Sequence, residues 1–140
     1  MSGLRWNTAG ESHGKALVGV LEGLPSGLAL DVAAIDAQLA RRQRGHGRSA
    51  RQQLESDRIE VLGGLRHGRT LGAPLALALA NKDASIEALP VPGDPRPGHA
   101  DLAGCQKHGV RDPRLVLERA SARETAMRTA LGAAAAQLLA

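Results

Sequence analysis

The sequence predicts an α+β fold, with antiparallel strands packed on helices. Three observations predict it. The chain has 140 residues, 43% of them apolar and 23% charged, which suits one modest globular domain able to bury roughly two-thirds of its unfolded surface. Short runs of branched residues alternate with Gly and Pro turns, the mark of strands. Two other segments carry helical spacing with capping residues ahead of them. Trp6 is the single aromatic residue, so the core is built from Leu, Val, Ile and Ala.

Taken in order, Leu4–Thr8 reads as a short strand and Ala9–Gly14 as a Gly-containing loop. Ala16–Leu24 carries Gly19 and Gly23 among branched residues, which suits a strand closely approached by another backbone. Pro25, Ser26 and Gly27 turn the chain, and Leu28–Leu30 returns it as the second arm of a hairpin. Asp31 is a good N-cap for a helix over Val32–Arg42, where Val32, Ile35 and Leu39 recur at helical spacing. Gln43–Asp57 is polar and Gly-punctuated, and predicts a mobile loop.

Arg58–Leu65 and Thr70–Ala80 are strand-like runs joined by a hairpin turn at Arg66–Arg69. Pro74 predicts an edge position or a bulge in the second run. Asn81–Pro97 holds Pro90, Pro92, Pro95 and Pro97 and predicts an irregular connector. Asp101–His108 predicts a short helix closed by Gly109. Ser121 and Glu124 form a capping box ahead of an Ala-rich helix reaching Ala140. No polar cap or Gly follows Leu138 and Leu139, the pattern expected of a chain cut off inside an element.

Charge narrows the function. Basic residues exceed acidic ones by 18 to 14, and the lysines are Lys15, Lys82 and Lys107, which leaves fifteen arginines. Guanidinium groups grip carboxylates and phosphates in two-pronged fashion, although a GC-rich coding sequence enriches Arg, Ala, Gly and Leu as well. Single-stranded nucleic acid requires aromatic stacking platforms, so nucleic acid is not the expected partner. The lone Cys105 makes neither an internal disulfide nor a cysteine-based zinc site, and it points to a reducing compartment. With no secretory signal at the N-terminus and no apolar run of membrane length, the expected location is cytoplasmic.

Several clusters could carry chemistry. Gly10–Gly14 (GESHG) matches G-x-S-x-G, and would make Ser12 a hydrolase nucleophile if a strand, a strained turn and a helix surrounded it. A strand is expected to follow instead. The same loop sets His13 beside Glu11 and between glycines, so an imidazole and backbone donors can approach a ligand. The five histidines show no paired metal-ligand spacing. Arg41, Arg42, Arg44, Arg48 and Arg51 fall within eleven residues, and Arg111, Arg114, Arg119, Arg123 and Arg128 lead into the capped helix. Two such sets imply a ligand of high negative charge.

These pieces, in this order, resemble chorismate synthase. The resemblance rests on GESHG, on RRQRGHGR at Arg41–Arg48, and on LGGLRHGRTLGAPLAL at Leu62–Leu77. It continues through NKD at Asn81–Asp83, RPGHADLAG at Arg96–Gly104 and ERASARETAMR at Glu118–Arg128. It spans almost the whole chain. It implies a β-α-β sandwich, loss of phosphate and a ring proton from 5-enolpyruvylshikimate 3-phosphate to give chorismate, reduced FMN as cofactor, an association with NADP, and a homotetramer.

By motif, His13 resembles the histidine that protonates the departing phosphate, and His99 the one beside the flavin. Arg42, Arg48, Arg51, Arg96, Ser121 and Arg123 match positions that hold substrate or phosphate groups, with Arg48 also near the cofactor. Their role is orientation and charge neutralisation. The chain differs from the usual pattern at His46, Gln52 and His108, where relatives carry Tyr, Met and an aromatic, and in a shorter Asn81–Arg96 connector. Family chains run to more than twice this length, so residues 1–140 correspond to the N-terminal part of the domain, with the C-terminal remainder absent and little activity expected of the piece alone. The two competing expectations are an anion-binding remnant without catalysis and a serine hydrolase using Ser12.

Overall fold

A computed structural model describes residues 3–44 and 56–140. The chain runs β1 (Arg5–Ala9), β2 (Ala16–Glu22), β3 (Ser26–Ala29), α1 (Val32–Gln43), β4 (Glu60–Gly63), β5 (Leu65–Arg66), β6 (Arg69–Leu71), β7 (Leu75–Ala80), α2 (Asp101–His108), α3 (Arg114–Leu117) and α4 (Ala122–Ala136). Strands β1, β2, β7 and β4 form one antiparallel sheet in that order, and β3, β6 and β5 form a smaller one. The fold is α+β, as the sequence predicts.

Alternation decides which sheet face is covered. Leu17, Gly19 and Leu21 of β2 lie opposite Leu79, Leu77 and Leu75 of β7, all buried on the side facing α1 and α4. From α4, Ala126, Met127, Ala130, Leu131 and Ala134 complete the core, and α1 adds Ile35 and Leu39. Burying each large aliphatic side chain contributes about 1.5–3 kcal/mol. The contact is close because Gly19 has no side chain: a Cβ there would sit 2.6 Å from Met127 Sδ and 3.0 Å from the Leu131 methyls. The close approach at Gly19 thus comes from helix side chains rather than from a neighbouring backbone.

The Asp31 carboxylate caps α1 by accepting from the Ala33 amide. Its backbone exchanges two hydrogen bonds with the Gln137 side chain, which ties the start of α1 to the end of α4.

Four expectations are corrected. Leu28–Leu30 does not return against β2, which is already paired on both edges by β1 and β7; β3 pairs β6 instead. The long hairpin of Arg58–Leu65 and Thr70–Ala80 divides between the two sheets. Its tip turns at His67 and Gly68, both with positive φ, the geometry of a two-residue hairpin turn. It breaks where Gly64 (φ +83°) lies so close to the Pro74 carbonyl that a Cβ would be 2.4 Å away. Pro74 therefore marks that break, and β7 is an interior strand rather than an edge. The Asn81–Pro97 connector has one 3-10 turn, Ile86–Ala88, and α3 was not anticipated.

The fourth concerns the capping box, which is only half formed. Ser121 Oγ accepts from the Arg123 amide, but the Glu124 carboxylate is taken by Thr8, Arg119 and Arg128. Helix α2 does close on Gly109 in the left-handed region, as expected. Most of the predicted Gln43–Asp57 loop lies outside the described residues.

Candidate active site

Three of the sequence motifs meet at the β1–β2 loop, where Gly10–Gly14 touches Asn81 and Glu118. Asn81, just past β7, donates through Nδ2 to the carbonyls of Glu11 and Gly14 at 3.1 and 2.8 Å, and its amide bonds Lys15 O. The Ile86 amide reaches His13 O, and the Ser12 amide reaches Glu118 O at 2.8 Å. A loop with few apolar anchors is thereby fixed by its backbone.

His13 is held by one buried carboxylate. Its amide donates to Glu118 Oε2 at 2.8 Å, and ring Nδ1 lies 2.9 and 3.0 Å from Oε2 and Oε1. Nε2 is 3.8 Å from Asp83 Oδ2. Glu118 is only 2% exposed and also accepts from Arg114 Nη1 at 3.1 Å, one turn earlier. Burial alone pushes its carboxyl up, but the His13 ring and amide together with Arg114 outweigh this and hold it below the usual carboxylate range. The other donors of Arg114 go to Pro90 O, which fastens the proline-rich connector.

Arg96 and Asp101 form a two-pronged pair, Nε and Nη2 at 2.8 and 3.0 Å from the two oxygens, and the Arg96 amide adds a third bond. The Arg96 hydrogen bonds hold the buried Asp101 carboxyl down to about 2, with a smaller contribution from His99. The Arg96 guanidinium is held up chiefly by Asp101, and Glu118 adds its own field. Two charge-paired groups result, His13 with Glu118 and Arg114, and Arg96 with Asp101.

Arg42 and Arg123, from α1 and α4, meet at Asp57. Arg123 Nη1 is 2.5 Å from Asp57 Oδ1, its Nε is 2.9 Å from Asn81 Oδ1, and Nη2 reaches Ala80 O. Arg42 Nη2 bonds Ala122 O at 2.5 Å and Nη1 stands 3.9 Å from Asp57 Oδ2. Both guanidiniums are largely buried. Arg48 and Arg51 lie outside the described residues. Exposed His99 and half-buried Ser121 both line an open groove of about 1010 Å³ between α2 and the start of α4, together with Lys107, Arg119 and Arg128.

Of the residues expected from sequence, the structure pairs His13 with Glu118, Arg96 with Asp101, and Arg42 and Arg123 with Asp57, three acids that sequence reasoning missed, while His99 and Ser121 line the groove. Asp101 and Glu118 lie inside the RPGHADLAG and ERASARETAMR motifs, and that placement was the available signal. Ser12 is 3% exposed, and its loop leads into strand β2, so a nucleophile elbow is not formed. Among the described residues no cluster of three or more His, Cys, Asp or Glu could hold a metal ion, and no helix is long and apolar enough to cross a membrane.

One anchored histidine, His13, thus stands among arginine–carboxylate pairs on an α+β frame. The sequence profile of the chorismate synthase family matches residues 4–140, and the chain belongs to that family. It is 53% identical to the chorismate synthase of Symbiobacterium thermophilum, over 98% of this chain and 39% of that protein. It is 54% identical to that of Rubrobacter xylanophilus, over 96% and 37%. A crystal structure of chorismate synthase superposes with a TM-score of 0.76 at 45% identity, covering 97% of this chain and 34% of that one. The chain therefore spans well under half the length of these relatives. The Symbiobacterium match runs over 154 aligned positions, so that relative carries residues within the matched region which this 140-residue chain lacks.

Proposed function

We propose that this chain is the N-terminal part, residues 1–140, of a chorismate synthase, and that it supplies the phosphate-handling side of the active site. In the reaction, the ester C–O bond to phosphate breaks, a ring C–H gives up its proton, and a C=C bond forms. The substrate, 5-enolpyruvylshikimate 3-phosphate, carries two carboxylates and a phosphate, whose mutual repulsion opposes binding unless cations surround them. The supporting observation is the anchoring of His13 by Glu118, in electrostatic reach of Arg96.

His13 gives its proton to an oxygen of the departing phosphate, because the protonated phosphate is the better leaving group and imidazole titrates near neutrality. Arg42, Arg48, Arg51, Arg96, Ser121 and Arg123 orient the substrate and neutralise its charge. Asp57 and Asp101 brace three of those arginines, so the forks are preorganised rather than recruited on binding.

Reduced FMN is the cofactor in this reading. Its phosphate would lie in the groove beside His99, where Lys107 stands with Arg119 and Arg128, both paired to Glu124 on the same wall. His99 would stand beside the flavin there, Arg48 is expected near it from its motif alone, and the bound flavin would supply an electron-rich ring favouring elimination without net redox change. His99 helps set the protonation of that ring. In this reading the assembled protein is a cytoplasmic homotetramer associated with NADP.

The test compares the 140-residue chain with the full-length Symbiobacterium relative, using substrate and reduced FMN. Little or no turnover is expected of the chain alone, and turnover near that of the relative would refute the partial-site reading. Completed with the remaining C-terminal portion, the chain should gain activity that His13→Ala abolishes. Unchanged activity in that variant removes the role of His13. Substrate binding without turnover, even after completion, would favour an anion-binding remnant.

A further inference from the structure

We propose that Glu118 is the positioning residue of His13: it fixes the imidazole in the Nδ1–H form, so that Nε2 is the atom exchanging a proton with the leaving phosphate. The catalytic part of this inference rests on the elimination reading above. The geometric part stands by itself.

Both oxygens of Glu118 already accept hydrogen bonds. Oε2 takes the His13 amide at 2.8 Å and Oε1 takes Arg114 Nη1 at 3.1 Å. A buried carboxylate held ionised by these donors carries no proton of its own. Ring Nδ1, at 2.9 and 3.0 Å from the two oxygens, must therefore be the donor. The neutral ring then has its lone pair at Nε2, and the imidazolium releases its proton from Nε2 while Nδ1–H stays bound. Nε2 is directed towards the side of Asp83, whose Oδ2 is 3.8 Å away.

The arrangement is over-determined. One residue offers two tethers, amide and ring, to one carboxylate, which fixes the ring's position as well as its rotation. The Glu118 carbonyl accepts the neighbouring Ser12 amide, so the same residue holds the loop by its backbone and by its side chain. Glutamine is no substitute. Its NH2 group would have to face either the Arg114 guanidinium or the His13 amide, a donor against a donor.

The experiment is 15N NMR of the histidine-labelled chain, correlating ring nitrogens with ring carbon-bound protons at a pH where the rings are neutral. For His13 the expected pattern is a single tautomer, with Nδ1 in the protonated range and Nε2 in the unprotonated range. Glu118→Gln should lose that pattern and shift to the mixture of free imidazole, while the backbone amide signals of the other four histidines persist. A wild-type ring protonated on Nε2 overturns the proposal, as does an unchanged tautomer in a folded Glu118→Gln chain. Should that variant not fold, the wild-type spectrum decides: Nδ1–H upholds the assignment and Nε2–H ends it. No substrate is present, so this result and the turnover result can fail separately.

Discussion

Replacing Asp57 by Ala tests whether the arginines of the site are braced from within. The Asp57 side chain is 1% exposed and that of Arg123 is 7% exposed. Removing one member of such a pair strands the other as a buried charge, at a cost of about 3–5 kcal/mol. Arg123 retains two neutral acceptors, Asn81 Oδ1 and Ala80 O, and Arg42 retains Ala122 O, which places the expected loss near the lower end, about 3 kcal/mol. With a urea slope of about 1.5 kcal/mol/M, the midpoint should fall by roughly 2 M with the slope unchanged. Far-UV circular dichroism follows the helices, and Trp6, the sole aromatic residue, gives an independent fluorescence signal. A fall under about 0.5 M would mean that water reaches Arg123 freely, and the bracing argument would be refuted. The isosteric Asp57→Asn, which keeps an acceptor, should lose less.

Gly19→Ala should destabilise by about 1–3 kcal/mol, since its methyl collides with Met127 and Leu131; a variant as stable as wild type shows that α4 moves away at no cost. Asp101 titrates lower in the folded chain, at about 2, than unfolded. Its stabilisation is therefore complete above about 4 and disappears as pH falls towards about 2. Asp101→Asn should flatten that part of an acid-unfolding profile, and an unaltered slope contradicts the Arg96 pairing. Arg128 lies 5.1 Å from the Trp6 ring centroid, so Arg128→Ala should shift Trp6 emission and cost less than about 1 kcal/mol from that contact, as read by fluorescence and urea unfolding. Unchanged emission removes the contact.

Local signals were legible where local physics decides. Asp31 caps α1 and Gly109 ends α2, because a side-chain acceptor and a left-handed glycine act within one turn. The His67–Gly68 turn was legible for the same reason. The assignment of strands to sheets was not. Leu28 and Leu65 satisfy a strand pattern equally well in either sheet, and only the packing of α4 on β2 and β7, with α1 against α4, selects the partners. The capping box illustrates the limit: Glu124 has the right spacing, but Thr8, 116 residues away, and Arg119 compete for it.

By itself, the order of GESHG, RRQRGHGR, NKD, RPGHADLAG and ERASARETAMR determined the family, since residue types and their succession survive without coordinates. The tertiary structure decided which acid meets which base. Glu118 reaches His13 across 105 residues and Asp57 reaches Arg123 across 66. No local rule ranks such partners, because the pairing energy depends on burial, and burial exists only once the helices have closed over the sheet.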